Sequence, residues 1–200
     1  MINPLGLRGN AAFALYNGGK EMSRPMVAVF GSGSCQPGQD MYEKAYDLGR
    51  LLALAGYDVM NGGYGGVMEA TAKGVQESGV SEAKTTGVVM THKPQGNQFL
   101  TTTAVAGDFF DRLRMLITKP TAHLVFPGET GTALELLTCL LWRKKFQSQA
   151  PGIIISKDDA EWDKIVKAVQ DLTGQNLEMM ASATSKPEIA IEILQRQLTI

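Results

Sequence analysis

The stretch HLVFPGETGTALELLTCLLWRKK, residues 123–145, decides the fold. Its opening is short and apolar, its middle is a turn with two glycines, and its remainder is apolar at helical spacing, which predicts strand, tight loop, helix. In an open parallel sheet such a loop lies at the carboxyl edge of the strand, where ligands bind. The helix is expected to start near Gly131 and Thr132. Its first amides have no partner within the helix, so an anion is well placed there. The turn therefore reads as a phosphate cradle.

Working outward, the same plan repeats. PMVAVFGSGS (25–34) predicts a buried strand ending in a glycine-serine turn, and residues 42–55 form an amphipathic helix with Gly56 at its stop. YDVMNGGYGGVMEATAKGVQESG (57–79) predicts strand, glycine turn and helix, and TTGVVM (85–90) a third strand. Residues 93–106 are polar and glycine-containing and read as a loop able to fold over a pocket, and 107–118 as a helix. On the other side, GIIIS (152–156) predicts a buried strand and AEWDKIVKAVQDL (160–172) a helix, with Asp158 and Asp159 near its start to suit the dipole. LEMMAS (177–182) predicts a short strand, and KPEIAIEILQRQL (186–198) a last helix with Pro187 in its first turn. Strands alternating with helices predict an α/β fold, a parallel sheet with helices on both faces. Residues 26–200 read as a single domain, and residues 1–25, with little periodicity, as an arm or leader.

Composition narrows the partners. Lys plus Arg number 19 and Asp plus Glu 20, a net charge of −1. So balanced a chain predicts no nucleic-acid polymer and no membrane surface as partner. Any bound anion has to be gripped locally. Cys35 and Cys139 have no metal-like spacing. No metal and no cofactor is expected. With no membrane-length apolar run and no signal-like start, a cytoplasmic protein is expected.

Three glycine turns end three predicted strands. Their candidate phosphate or nucleotide ligands are Gly31 and Ser32; Gly62, Gly63, Gly65 and Gly66; and Gly128, Thr130, Gly131 and Thr132. The first turn is no dinucleotide fingerprint, because the third glycine position is Gln36, and no lysine follows the third turn as a P-loop requires. The polar side chains near the cradle are Arg112, Arg114, Glu129 and Glu135. Glu135 follows Thr132 by three residues, about one helical turn, and is either a carboxylate in reach of a ligand whose phosphate sits at the helix start or a solvent carboxylate favoured by the helix dipole. Arg112 and Arg114 are either surface charges or, in Arg112's case, a clamp on phosphate or carboxylate. His92, His123 and Cys35 form no cluster and read as packing or loop residues. Thr91-His92-Lys93 echoes a pyridoxal-phosphate lysine segment, but no acidic partner for a pyridine nitrogen accompanies it.

Strand-PGGxGTxxE-helix, with an arginine fifteen residues before the proline, marks the LOG (lonely guy) family, often labelled lysine decarboxylase-like. Here Pro127, Gly128, Glu129, Thr130, Gly131, Thr132 and Glu135 follow Arg112, and the chain resembles that family over residues 26–196. NGGYGGVMEATAKG is similar to the family's GGGxxGLMGxVAxAA, and VFGSGS to its first strand and turn. Glu129, Asn61 and Leu113 stand where the family has Gly, Gly and Lys. The resemblance implies a Rossmann-like, doubly wound homodimer that binds an AMP-like nucleoside monophosphate. It further implies a phosphoribohydrolase, an N-glycosidase releasing free base and ribose 5-phosphate, with Gly128, Gly131 and Thr132 on the 5'-phosphate and Arg112 and Glu135 catalytic. Glu135 would stabilise the cation-like ribose or activate water. Related branches, molybdenum-cofactor carrier-like proteins and nucleotide sensors among them, imply the alternative: a protein that holds a nucleotide or phosphate-bearing cofactor without turnover.

Overall fold

The computed structural model describes residues 23–146, 152–155, 160–174 and 181–198. Among the described residues seven strands, β1 (Met26–Phe30), β2 (Asp58–Asn61), β3 (Thr85–Met90), β4 (Thr102–Ala106), β5 (Ala122–Val125), β6 (Gly152–Ile155) and β7 (Ala181–Thr184), form one sheet in the order β4-β3-β2-β1-β5-β6-β7. Every neighbouring pair is parallel. From β1 at the centre the chain winds outward to β4, then returns to the other side of β1 as β5. The topological switch point, where a crevice opens beyond the strand ends, therefore lies between β1 and β5.

Among the described residues the helices are α1 (Asp40–Leu54), α2 (Val67–Gln76), α3 (Phe109–Thr118), α4 (Thr130–Phe146), α5 (Ala160–Thr173) and α6 (Pro187–Leu198). Alternation along β1 assigns them to faces. Val27 and Val29 join a core with Leu48 and Leu52 of α1, Val67 and Ala70 of α2, and Ile191 and Leu194 of α6. Ala28 and Phe30 point the other way, into a core with Leu116 of α3, Leu136 and Leu140 of α4, and Val169 of α5. Each fully buried leucine contributes about 2 kcal/mol. The sheet is thus covered on both sides, the Rossmann-like arrangement anticipated.

Two expected boundaries move. Residues 93–106 were expected as loop, but Thr102–Ala106 is β4, paired in parallel register with β3. It is an edge strand with Thr102 and Thr103 exposed, so it reads as polar although Thr and Val favour strands. The last strand lies at Ala181–Thr184, later than LEMMAS suggests. Asp158, Asp159 and residues 1–22 lie outside the described residues. Arg24 just precedes β1 and bridges Asp58 (3.2 Å) and the carbonyls of Ala53 (2.6 Å) and Tyr57 (3.1 Å), so ordered contacts begin ahead of Met26.

Helix ends follow local chemistry. Gly56, at φ 93°, closes α1, with its amide on the Ala53 carbonyl and that of Tyr57 on Leu52, a Schellman ending. Asp108 caps α3 through the Asp111 amide (2.8 Å). Helices α1 and α2 touch backbone to backbone. A Cβ on Gly49 would collide with the Thr71 carbonyl oxygen, and one on Gly74 with that of Tyr46. Among the described residues no helix is long and apolar enough to cross a membrane.

Candidate functional site

The three glycine turns meet at the carboxyl ends of β1, β2 and β5. Ser32 joins them: its amide donates to the Pro127 carbonyl (3.0 Å) and its carbonyl accepts from the Val67 amide (2.9 Å). Gly66 (φ 65°) lets the second turn close on the first, since a Cβ there would collide with the Ser32 carbonyl oxygen. A Cβ on Gly128 would collide with Thr132 Oγ1 and lie 2.8 Å from the Ser32 amide nitrogen, so the β1 turn and the start of α4 are immediate neighbours. The other predicted glycines also face protein atoms. Gly31 faces Phe126 and Val67, Gly62 the Arg112 guanidinium and Met68, Gly63 the Val89 side chain, and Gly65 the Gly33 carbonyl. Gly131 faces open space. Thr130 and Gly131 are exposed and Thr132 is buried, so the amino end of α4 is the accessible, dipole-positive corner.

Glu129 sits just ahead of that corner and reaches across to the β1 turn. Its Oε1 accepts hydrogen bonds from Ser32 Oγ (2.9 Å) and Ser34 Oγ (3.0 Å). The two hydroxyls are 2.8 Å apart, and the Ser34 amide donates to Ser32 Oγ. The Ser32 hydroxyl, and less strongly Ser34 and the amides of Glu129 and Gly33, hold the carboxyl below its ordinary range against a modest burial penalty. It is ionised at neutral pH.

Arg112 and Glu135 do come together. Arg112 reaches from α3 under the second turn, donating Nε to Val88 O (2.9 Å) and Nη2 to Gly62 O (3.3 Å), with its Cζ 5.9 Å from the Tyr64 ring centre. Its Nη1 is 3.9 Å from Glu135 Oε1, with side chains only 16% and 14% exposed. Burial pushes the Glu135 carboxyl up to about 7, with Arg112 pulling the other way. A carboxyl that exchanges protons near neutral pH is matched to acid–base work. Cys139, one turn further along α4, is kept as a thiol by burial and by the neighbouring Glu135 charge.

Several residues that hold the site carry only weak sequence signals. Asn61 is buried, accepts from the Gly63 amide (2.8 Å) and donates to Met68 O (2.9 Å), so it fixes the second turn where the LOG pattern has glycine. An Asn two residues before a glycine is the readable sign of that turn. Tyr64 accepts from the Met90 amide and donates to Lys93 O, both at 3.0 Å. Asn97 donates to the carbonyls of Gly63 and Tyr64, laying the segment after β3 against the second turn. Ser34 is recognisable only through Glu129. Arg114 is exposed and pairs with Asp111, and His92 is exposed. His123 is buried on β5, stacked on Phe30 (5.9 Å), with Nε2 at 3.0 Å from Ile117 O, and burial pushes its pKa down to about 4. Burial likewise raises the Cys35 thiol.

Residues 24–184 match the family model described as the SLOG cluster4 family. The chain belongs to the SLOG cluster4 family. This agrees with the LOG-like resemblance of its motifs. An uncharacterized protein of Archaeoglobus fulgidus is 30% identical over 138 residues, 67% of this chain and 85% of that one. The crystal structure of TM1055, a structural-genomics target, is similar with TM-score 0.70 and 26% identity, covering 86% of this chain and 99% of that one. The molybdenum cofactor binding protein of Rippkaea orientalis shares the fold with TM-score 0.69 and 24% identity, covering 88% of this chain and 98% of that one.

Proposed function

We propose that this SLOG cluster4 protein binds a phosphate-bearing small molecule, a nucleotide or a cofactor of the molybdenum-cofactor kind, and holds it without hydrolysing it. The observation carrying this reading is the Glu129 carboxylate on Ser32 and Ser34. It stands where the LOG pattern has glycine, so the phosphoribosyl seat of that pattern is partly filled by the chain itself. The exposed amino end of α4, at Thr130 and Gly131, is the seat for the phosphoryl group, and Arg112 borders it through Glu135. The likeness in fold to a molybdenum cofactor binding protein supports the same kind of role.

One observation favours a second reading, the phosphoribohydrolase. The Arg112–Glu135 pair is intact, and a carboxyl titrating at about 7 beside the phosphate seat suits cleavage of an N-glycosidic bond. Incubation with AMP separates the two, with calorimetry for binding and chromatography for free adenine. Binding with no adenine is the expected result. Adenine release that disappears in Glu135→Ala establishes the hydrolase instead. Both readings include a homodimer. The partly exposed Leu134, Leu137 and Leu141 along α4 and Phe109 and Phe110 at the start of α3 offer it an apolar face. A monomer in sedimentation velocity contradicts that part.

A further inference from the structure

The β1 turn has the make-up of an anion site and already holds an anion. Two serine hydroxyls converge on one carboxylate oxygen, with the Gly33 amide beside it. The carboxylate belongs to a residue 97 positions further along the chain than Ser32, and that residue is exposed. The Glu129 side chain is held there by hydrogen bonds to the two serine hydroxyls. The open start of α4 lies next door, since Gly128 is squeezed between the Ser32 amide and Thr132 Oγ1. Two adjoining phosphoryl groups of one ligand would span the two corners.

We propose that the β1 turn is an anion seat kept shut by the protein's own Glu129, and that Glu129 thereby sets ligand choice. The protein takes a molecule with one phosphoryl group, at the α4 end, and turns away a diphosphate. This rests on the binding reading above for the nature of the ligand. A diphosphate has to displace Glu129 and also lie beside its charge. Removing the side chain empties the seat, whereas Glu129→Gln removes the charge but leaves the seat filled by an amide oxygen.

Inorganic phosphate and pyrophosphate are the probes, measured by calorimetry on the full chain. They carry no base or sugar, so a failure of nucleotide recognition would sink the nucleotide-binding reading and leave this result standing. Wild type is expected to bind pyrophosphate no better than phosphate. Glu129→Gly is expected to bind pyrophosphate about tenfold tighter than wild type or better, from relieved charge repulsion at short range. Glu129→Gln is expected to fall between. Adding Ser32→Ala and Ser34→Ala to Glu129→Gly should abolish the gain. The proposal is overturned if Glu129→Gly gains nothing, if the gain survives loss of both hydroxyls, or if wild type already prefers pyrophosphate. Glu129 is exposed, so its variants are expected to fold, and the Gln variant repeats the test with less disturbance of the turn.

Discussion

Glu129 and Glu135 belong to one strand-turn-helix unit, six positions apart, yet their surroundings treat them in opposite ways. The turn gives Glu129 two hydroxyls and water, and its charge is favoured. The second turn of α4 gives Glu135 burial and one arginine at 3.9 Å, and its charge is resisted. Side-chain type is the same; solvation and hydrogen-bond donors decide the protonation state. One carboxylate is therefore a fixed negative group, and the other a proton-exchanging one.

Removing the arginine should break this contrast most severely. Arg112→Met leaves Glu135 without its counter-charge and removes the guanidinium hydrogen bonds to the Val88 and Gly62 carbonyls. A loss of about 3 kcal/mol is expected in urea unfolding at pH 8, since breaking a buried pair strands the partner. A loss below 1 kcal/mol would mean the pair is effectively solvated.

Glu135→Gln sharpens the contrast through pH. The folded carboxyl is raised from 4.5 to about 7, so its favourable contribution is fully present below about pH 4.5 and fades as pH rises to about 7. Wild type should lose about 3 kcal/mol relative to Glu135→Gln across that window and run parallel to it above. Parallel stability curves from pH 4 to 8 would place Glu135's titration at the ordinary carboxylate value.

Glu129→Gln gives the smallest effect. The lowered Glu129 carboxyl stabilises the fold above its unfolded pKa and loses that contribution as pH falls through the folded value. Because the group is exposed, the change in unfolding free energy at pH 7 should stay within about 0.5 kcal/mol. A cost above 1 kcal/mol would make Glu129 a structural strut.

The contrast also marks what could be read from the chain. The strand-turn-helix units were legible because apolar runs, glycine stops and helical spacing are local signals. So was the Arg112–Glu135 pairing, which the family motif carries. β4 was missed because an edge strand with exposed Thr102 and Thr103 looks like loop. The destination of Glu129 was illegible for another reason. Its partners lie 97 and 95 residues away, and nothing in the local sequence says which way that side chain rotates.

Helices α1 and α2 meet through glycines at Gly49 and Gly74, with no side chain between their backbones. Each of these helices follows one of the first two glycine turns in the chain. With the layers behind them pressed together, those two turns have little room to slide apart. Any give needed to admit a guest of different size falls to the third turn and to whichever side chains swing across it.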